Sequence, residues 1–207
     1  MMKKKIIVFA SGTGSNFINI TQKIQSNHLP AKVCLLVSNN PNCGAVKFAS
    51  SNKIDVFIYN SNRFPDDNEQ IYLIQKLEVY NLDLILLAGY MKKISKGFVD
   101  RFKNKIMNIH PSLLPLYGGK GFYGVKVHEQ VFKNKDKESG ATVHFIDANY
   151  DSGPILIQEK IKLEINDTPE QIAQKVLKIE HKIYFEALVL FCNNQIYWNN
   201  NKPLIKG

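Results

Sequence analysis

Cysteine is scarce in this sequence, with three residues in 207, and long apolar runs are missing. Cys34, Cys43 and Cys192 are odd in number and far apart, which argues against a disulfide framework and for a reducing compartment. No run approaches the ~18 apolar residues of a transmembrane helix. The apolar stretch after residues 1–5 is too short for a signal peptide. We therefore expect a soluble, cytoplasmic protein that does not bind membranes.

Several motifs that would identify other protein classes are also missing. The histidines and cysteines do not follow the His-Glu-x-x-His or Cys-x-x-Cys spacing of zinc sites, so we expect no metal. The sequence has no Gly-x-Ser-x-Gly elbow, which argues against a serine hydrolase. Its short lysine runs lack the interleaved aromatic residues of single-strand nucleic-acid platforms. Repeats, low-complexity blocks and an obvious linker are absent too, which favours a single domain over residues 1–207.

The composition that remains is ordinary for a folded protein, apart from its basic excess. Hydrophobic residues make up 44% and charged residues 22%, a mixture that excludes general disorder. The formal net charge is +9. Such a charge fits nucleic acid, an anionic membrane surface or a small anionic ligand, and composition alone does not decide among them.

Short apolar runs alternate with amphipathic stretches along the chain. The runs predict strands at residues 6–10, 32–37, 55–59, 82–88, 106–109, 141–146 and 155–161. Helical spacing predicts helices after Ser15, which would be an N-cap, after Gly44, and at residues 69–79, 125–133 and 169–191. This order predicts an α/β fold with one doubly wound, mostly parallel sheet, helices on both faces and residues 82–88 in a central strand.

A glycine turn at residues 11–16 follows the first strand and leads into the first helix. Glycine lets the backbone approach a ligand closely, and the N–H groups of a helix start attract anions. The third glycine of a dinucleotide fingerprint is replaced by Phe17, and no Walker lysine follows. A single phosphate therefore fits this turn better than NAD or ATP, although an ordinary tight turn has the same composition.

Polar residues follow two later strands of the predicted sheet. Alternation along the strand places Asn108 and His110 on the same side, where an amide donor and an imidazole suit a developing oxyanion and a proton transfer. Asp151 lies in a polar loop between two strands, just before a Gly-Pro turn. A carboxylate near His110 would raise the pKa of its imidazole and fix its tautomer. A structural histidine and an ordinary turn aspartate are the alternatives, because spacing does not show that the residues meet.

Four strings occur together and in order: FASGTGSN at residues 9–16, LAGYM at 87–91, NIHPSLLP at 108–115 and YDSGP at 150–154. In these, and nearly from end to end, the chain resembles the phosphoribosylglycinamide formyltransferase family, the folate-dependent one-carbon transferases of purine biosynthesis. The string at 108–115 is typical of folate formyltransferases as a group. The Gly-Ser-Asn turn and the short length narrow the resemblance to this family.

The resemblance implies transfer of a formyl group from the co-substrate 10-formyltetrahydrofolate to the amine of glycinamide ribonucleotide. It implies that His110 is the general acid, that Asn108 donates to the oxyanion, and that Asp151 orients His110. It also implies that residues 1–105 form a phosphate-binding half and residues 106–207 a catalytic and folate-binding half. The implied nucleotide contacts are Gly14, Ser15, Asn16 and Glu180. The implied folate contacts are Met91, Lys92, Lys93, Ile94, Asn108, Asp147, Ala148, Asn149, Tyr150 and Asp151.

There are two alternatives, one with the same formyl-transfer chemistry and one of a different functional class. Methionyl-tRNA formyltransferases share the catalytic string but carry a further C-terminal domain, for which 207 residues leave no room. A non-catalytic phosphate- or nucleic-acid-binding module would need only the glycine turn and the basic charge, and would leave Asn108, His110 and Asp151 without a purpose. We therefore expect two small-molecule substrates and no nucleic acid, with a monomer and a homodimer both open.

Overall fold

The computed structural model describes residues 3–206, along which strands and helices alternate. The strands are β1 (Lys4–Phe9), β2 (Ala31–Ser38), β3 (Asp55–Ile58), β4 (Leu84–Leu87), β5 (Ile106–His110), β6 (Glu138–Phe145), β7 (Ile155–Lys162), β8 (Ile196–Asn199) and β9 (Lys202–Ile205). The helices are α1 (Ser15–Ser26), α2 (Gly44–Ser51), α3 (Ile71–Glu78), α4 (Lys96–Arg101), α5 (Val125–Lys133) and α6 (Pro169–Cys192).

The main sheet has the strand order β3-β2-β1-β4-β5-β6-β7. The pairs β1–β2, β1–β4 and β2–β3 are parallel, and β6–β7 is antiparallel. The predicted α/β fold with a mostly parallel sheet is therefore confirmed, and β4 is its middle strand. None of the helices in residues 3–206 combines the length and the apolar character needed to cross a membrane.

The chain divides into two compact units, residues 1–107 and 108–207. In the first unit, β1 and β4 form the centre of the core, and their paired residues Ile6 and Leu84 are completely buried. This burial on both faces explains why both strands read as continuous apolar runs rather than as alternating ones.

The start of α1 differs from the prediction. Ser15 is the first helical residue, and the N-cap is Gly14, which has a left-handed φ of 79°. A Cβ at position 14 would lie 2.8 Å from the Cβ of Ala45, closer than two such carbons approach. Position 14 therefore needs a glycine for both its backbone conformation and its close contact with α2.

In the second unit, α6 begins with a complete capping box. The Thr168 hydroxyl accepts the N–H of Gln171, the Gln171 side chain accepts the N–H of Thr168, and Pro169 stands in the first turn. These contacts satisfy N–H groups that a helix start leaves unpaired, and the fixed φ of proline suits that turn. They set the beginning of the long helix that carries Glu180.

Candidate active site

In the second unit, the buried His110 lies beside Asp151, whose side chain is 14% exposed. His110 ends β5 and is 5% exposed, and Asp151 lies in the loop between β6 and β7. The Nδ1 atom of His110 lies 3.7 Å from Oδ1 of Asp151. Its Nε2 atom lies 2.8 Å from the carbonyl oxygen of Tyr117. Since a carbonyl only accepts hydrogen bonds, Nε2 carries a proton, and Nδ1 is the ring atom that faces the carboxylate.

The position of Asp151 is fixed by its backbone and by its second carboxylate oxygen. Its φ of 52° is left-handed, a conformation that aspartate tolerates better than most residues. Oδ2 accepts the N–H of Gly119 at 2.9 Å. Oδ1 is thereby left to face two imidazoles, those of His110 and His144, at 3.7 and 3.8 Å.

Gly153 allows the loop that carries Asp151 to fold back on β6. A Cβ at position 153 would lie 2.0 Å from the carbonyl oxygen of Phe145 and 3.1 Å from the amide nitrogen of Asp147. Contacts this short with backbone atoms are resolved only by moving one of the two segments. The glycine of the Asp-Ser-Gly-Pro string is therefore required by space.

We expect Gly153→Ala to displace the loop and with it Asp151. The expected cost is about 1–3 kcal/mol in the free energy of unfolding, as for other overpacked sites, together with a loss of catalytic turnover of at least about tenfold. Urea unfolding and steady-state kinetics measure the two effects. Gly97→Ala is the matched control, because a Cβ there meets open space. Equal turnover in the two variants would contradict this role of Gly153.

Asn108 is joined to the pair through His144, a residue for which the sequence predicted no such role. The Nδ1 atom of His144 donates to the carbonyl oxygen of Phe145 at 3.0 Å. Burial lowers the pKa of His144, so its Nε2 accepts a hydrogen bond from Nδ2 of Asn108, also at 3.0 Å. An amide nitrogen has two protons, and the second remains for a ligand. The structure thus brings Asn108, His110 and Asp151 to one site, as the alternation along β5 predicted for the first two.

The other residues of the second unit that the resemblance implies as folate contacts lie on a largely exposed turn. The carboxylate of Asp147 accepts the N–H of Asn149 at 2.9 Å and the hydroxyl of Ser152 at 2.9 Å. Ala148, Asn149 and Tyr150 are exposed. Hydrogen bonds from an aspartate to the residues that follow it stabilise such turns. Asp147 therefore supports the turn, which leads directly to Asp151.

In the first unit, Ser11 links the glycine turn to two neighbouring loops. Its hydroxyl donates to Oδ1 of Asn39 at 2.5 Å and accepts the N–H of Met91 at 2.8 Å. The loops that follow β1, β2 and β4 are thereby joined at their starts. Gly14, Ser15 and Asn16 lie where the first of these loops becomes α1. Among the described residues, no acidic side chain lies in the first turn of α1, which suits an anion.

Gln70 fixes the backbone of the loop that contains Met91, Lys92, Lys93 and Ile94. Its side-chain nitrogen donates to the carbonyl oxygen of Lys93, and its side-chain oxygen accepts the N–H of Ser95, both at 2.9 Å. A cleft of about 240 Å³ lies beside this loop. Its lining includes the aromatic residues Tyr59, Phe64 and Tyr90 together with Lys92 and Lys93. Asp67 also lines the cleft, which therefore combines aromatic rings with charges of both signs.

Glu180 and His128 are further buried ionisable residues of the second unit. Glu180 on α6 is 9% exposed, so its carboxylate is withdrawn from bulk water. His128 on α5 is 4% exposed, and its Nδ1 atom has no hydrogen-bond partner among the described residues. The pKa of His128 is lowered to about 4, mainly by burial and to a smaller extent by the nearby His110. His128 is therefore neutral at physiological pH.

The neutral state of His128 makes the fold sensitive to acid. Its folded pKa of about 4 lies below the ordinary value of 6.5, so between these pH values only the unfolded chain binds the proton. The free energy of unfolding therefore falls as pH drops through this window. The pKa difference between the two states corresponds to a total loss of about 3 kcal/mol. Urea unfolding at pH 7 and at about pH 4.5 measures how far the free energy of unfolding drops between them. We expect this drop to be about 2 kcal/mol smaller in His128→Asn than in the native chain. Equal losses would contradict the prediction.

Comparison with known proteins agrees with the strings identified in the sequence. Residues 4–188 match the family model described as formyl transferase. The chloroplastic phosphoribosylglycinamide formyltransferase of Arabidopsis thaliana is 42% identical over 208 aligned residues, which cover 99% of this chain and 71% of the plant protein. The phosphoribosylglycinamide formyltransferase of Bacillus subtilis is 36% identical over 184 residues, covering 87% and 91% of the two chains.

A solved structure extends this agreement to three dimensions. Glycinamide ribonucleotide transformylase 1 from Symbiobacterium toebii matches with a TM-score of 0.90 at 30% identity, covering 99% of this chain and 95% of that protein. The resemblance first drawn from the four strings is thus confirmed over nearly the whole length. The chain belongs to the formyl transferase family and, within it, to the phosphoribosylglycinamide formyltransferases.

Proposed function

We propose that this chain transfers the formyl group of 10-formyltetrahydrofolate to the amine of glycinamide ribonucleotide, a step of purine biosynthesis. The observation that carries this proposal is the cluster of Asn108, His110 and Asp151 in one largely enclosed site. It offers an amide donor for an oxyanion and an imidazole paired with a carboxylate, the two groups that formyl transfer requires.

In the proposed reaction, the substrate amine attacks the formyl carbon and forms a carbon–nitrogen bond. The carbonyl oxygen becomes an oxyanion, which accepts hydrogen bonds from the second Nδ2–H of Asn108 and from the protonated His110, until the carbonyl re-forms. Since Nε2 of His110 is bonded to the Tyr117 carbonyl, the exchanged proton is carried by Nδ1. The bond between the formyl carbon and N10 of the folate then breaks, the amine loses a proton and N10 gains one.

Asp151 orients the imidazole and balances its charge. At 3.7 Å, its Oδ1 atom lies beyond a direct hydrogen bond to Nδ1, so the proton on that nitrogen is not committed to the carboxylate. The carboxylate still favours a positive imidazole at this distance. This arrangement suits a histidine that gives up a proton and takes one back within a single turnover.

The substrates are assigned to the residues that the family resemblance implies. The phosphate of the nucleotide is assigned to Gly14, Ser15 and Asn16, and its glycinamide part to Glu180. The folate contacts implied by the resemblance are residues 91–94, Asn108 and residues 147–151. We propose a cytoplasmic enzyme of one domain, active as a monomer or a homodimer without nucleic acid.

An acceptor comparison tests the proposed function. The purified full chain is mixed with 10-formyltetrahydrofolate and either glycinamide ribonucleotide, methionyl-tRNA or no acceptor, and folate release is followed by absorbance. We expect release only with glycinamide ribonucleotide. Release with methionyl-tRNA alone would support the tRNA-dependent alternative, and equal release in all three mixtures would indicate a hydrolase.

A further inference from the structure

Residues 117–119 hold both His110 and Asp151 in place. The carbonyl oxygen of Tyr117 accepts the Nε2 proton of His110 at 2.8 Å. Two residues later, the N–H of Gly119 donates to Oδ2 of Asp151 at 2.9 Å. Between them, a Cβ at Gly118 would lie 3.3 Å from the Cβ of Asp151 and 2.6 Å from a methyl carbon of Leu114. The segment is thus packed directly against Asp151, and its position sets the positions of both catalytic side chains.

The phenol of Tyr117 anchors this segment to the residues that follow α5. Its hydroxyl donates to Oδ2 of Asp136 at 2.5 Å and accepts a hydrogen bond from Nδ2 of Asn134 at 2.8 Å. Burial, together with the bond to Asp136, raises the pKa of Tyr117, which keeps the hydroxyl protonated. Both capacities of the hydroxyl are therefore used, and both partners lie outside the segment that it anchors.

The backbone of Tyr117 makes such an anchor necessary. Its φ of 54° is left-handed, a conformation that is unfavourable for a bulky aromatic residue and persists only where surrounding contacts impose it. Without the phenol contacts, the Tyr117 peptide is free to relax toward ordinary backbone angles. Its carbonyl would then turn away from His110, which would lose the acceptor that fixes its tautomer.

We propose that Tyr117 is a positioning residue for His110, with Asp136 and Asn134 as the anchor of its phenol. The network holds the proton of His110 on Nε2 and presents Nδ1 toward Asp151 and the reacting atoms. This inference rests on the proposed function for its catalytic consequence. Its structural part, the control of the His110 tautomer, stands on the contacts alone.

The expected effects separate the hydroxyl from the aromatic ring. A misplacement of ~1 Å in a catalytic site can lower turnover about 100-fold. We expect Tyr117→Phe to displace His110 by less than this and to lower kcat about tenfold. The KM values for both substrates should change less than about twofold, because no substrate contact is assigned to Tyr117.

Variants of Asp136 test the anchor from its other end. Asp136→Ala removes the acceptor and should reproduce the effect of Tyr117→Phe. Asp136→Asn keeps an oxygen that accepts the phenol proton, and should restore most of the turnover. The double variant Tyr117→Phe with Asp136→Ala should be no slower than either single variant, because both remove the same contact. Tyr123→Phe is the matched control, since that exposed hydroxyl contacts only Lys126 among the described residues.

Nitrogen NMR of the His110 ring provides a reading that does not depend on activity. In the native chain we expect the neutral ring to carry its proton on Nε2, and in Tyr117→Phe we expect a mixture of the two tautomers. If the native chain proves inactive, the proposed function fails while this spectrum still decides the role of Tyr117. An unchanged spectrum in Tyr117→Phe would overturn the proposal, whether or not the variant loses stability. If the native chain is active, unchanged turnover in Tyr117→Phe would equally overturn the proposal.

Discussion

His110→Ala is expected to lower the turnover of formyl transfer by on the order of 1000-fold, with smaller changes in the KM values. In the proposed mechanism, the substitution removes the proton donor and one of the groups that stabilise the oxyanion, and both act mainly in the transition state. His110 is almost fully buried and ends a core strand, so its position is fixed before any substrate binds. Steady-state kinetics over both substrates give kcat and KM separately.

The exposed His28 supplies the control for this substitution. His28→Ala removes the same side chain from the surface of the first unit and should leave turnover within about twofold of the native value, as for most surface changes. Urea unfolding of His110→Ala shows whether the variant is folded. A folded His110→Ala variant with near-native turnover would remove His110 from the mechanism.

Asp151→Asn is expected to lower turnover by on the order of 100-fold while leaving the shape of the site intact. The amide oxygen can still accept the N–H of Gly119, as Oδ2 of Asp151 does. The amide nitrogen then faces the two imidazoles that Oδ1 faces in the native chain. This amide nitrogen carries no negative charge to balance that of a protonated His110. As a hydrogen-bond donor, it also competes with the imidazole for acceptors.

Asp100→Asn is the matched control for this loss of charge. Asp100 is an exposed carboxylate on α4 whose partner is Lys96, one helical turn away, and such pairs contribute little to stability. We expect native turnover in Asp100→Asn, and in Asp151→Asn a loss confined to kcat. A loss in Asp151→Asn that appeared only in the KM for folate would instead make Asp151 a binding residue.

The long elements of the fold could be predicted because their apolar spacing is strong. The ends predicted for α5 are those observed, and α6 extends one residue beyond its predicted end. The short α4 was not predicted, since six residues carry too little periodicity to distinguish them from a loop. Its start has a local signal nonetheless, because the Ser95 hydroxyl accepts the N–H of Phe98 as an N-cap.

The hairpin of β8 and β9 was also missed, because its turn uses an unusual pair of residues. Asn200 and Asn201 both have left-handed φ values, 47° and 60°. Two consecutive residues of this kind form the turn that matches the twist of a two-residue hairpin, most often as Asn-Gly. Asparagine tolerates the conformation, so an Asn-Asn pair between apolar residues is a usable signal.

In the candidate site too, the residues that share a local sequence pattern could be predicted, and those that depend on tertiary contacts could not. Asn108 and His110 could be predicted together because their relation is the alternation of one strand. His144 and Tyr117 could not, because each acts on the site through partners that are remote in sequence or through its backbone. The carbonyl of Tyr117 binds His110 whatever its side chain is, and only the phenol contacts single out a tyrosine.

Isotope transfer tests the proposed reaction most directly. The purified chain is mixed with glycinamide ribonucleotide and 10-formyltetrahydrofolate labelled at the formyl carbon, and the products are followed by mass spectrometry. We predict that the label appears on the amine of the nucleotide in the same amount as the tetrahydrofolate released, and that His110→Ala forms almost none. Label released as free formate, with the nucleotide unchanged, would contradict formyl transfer by this chain.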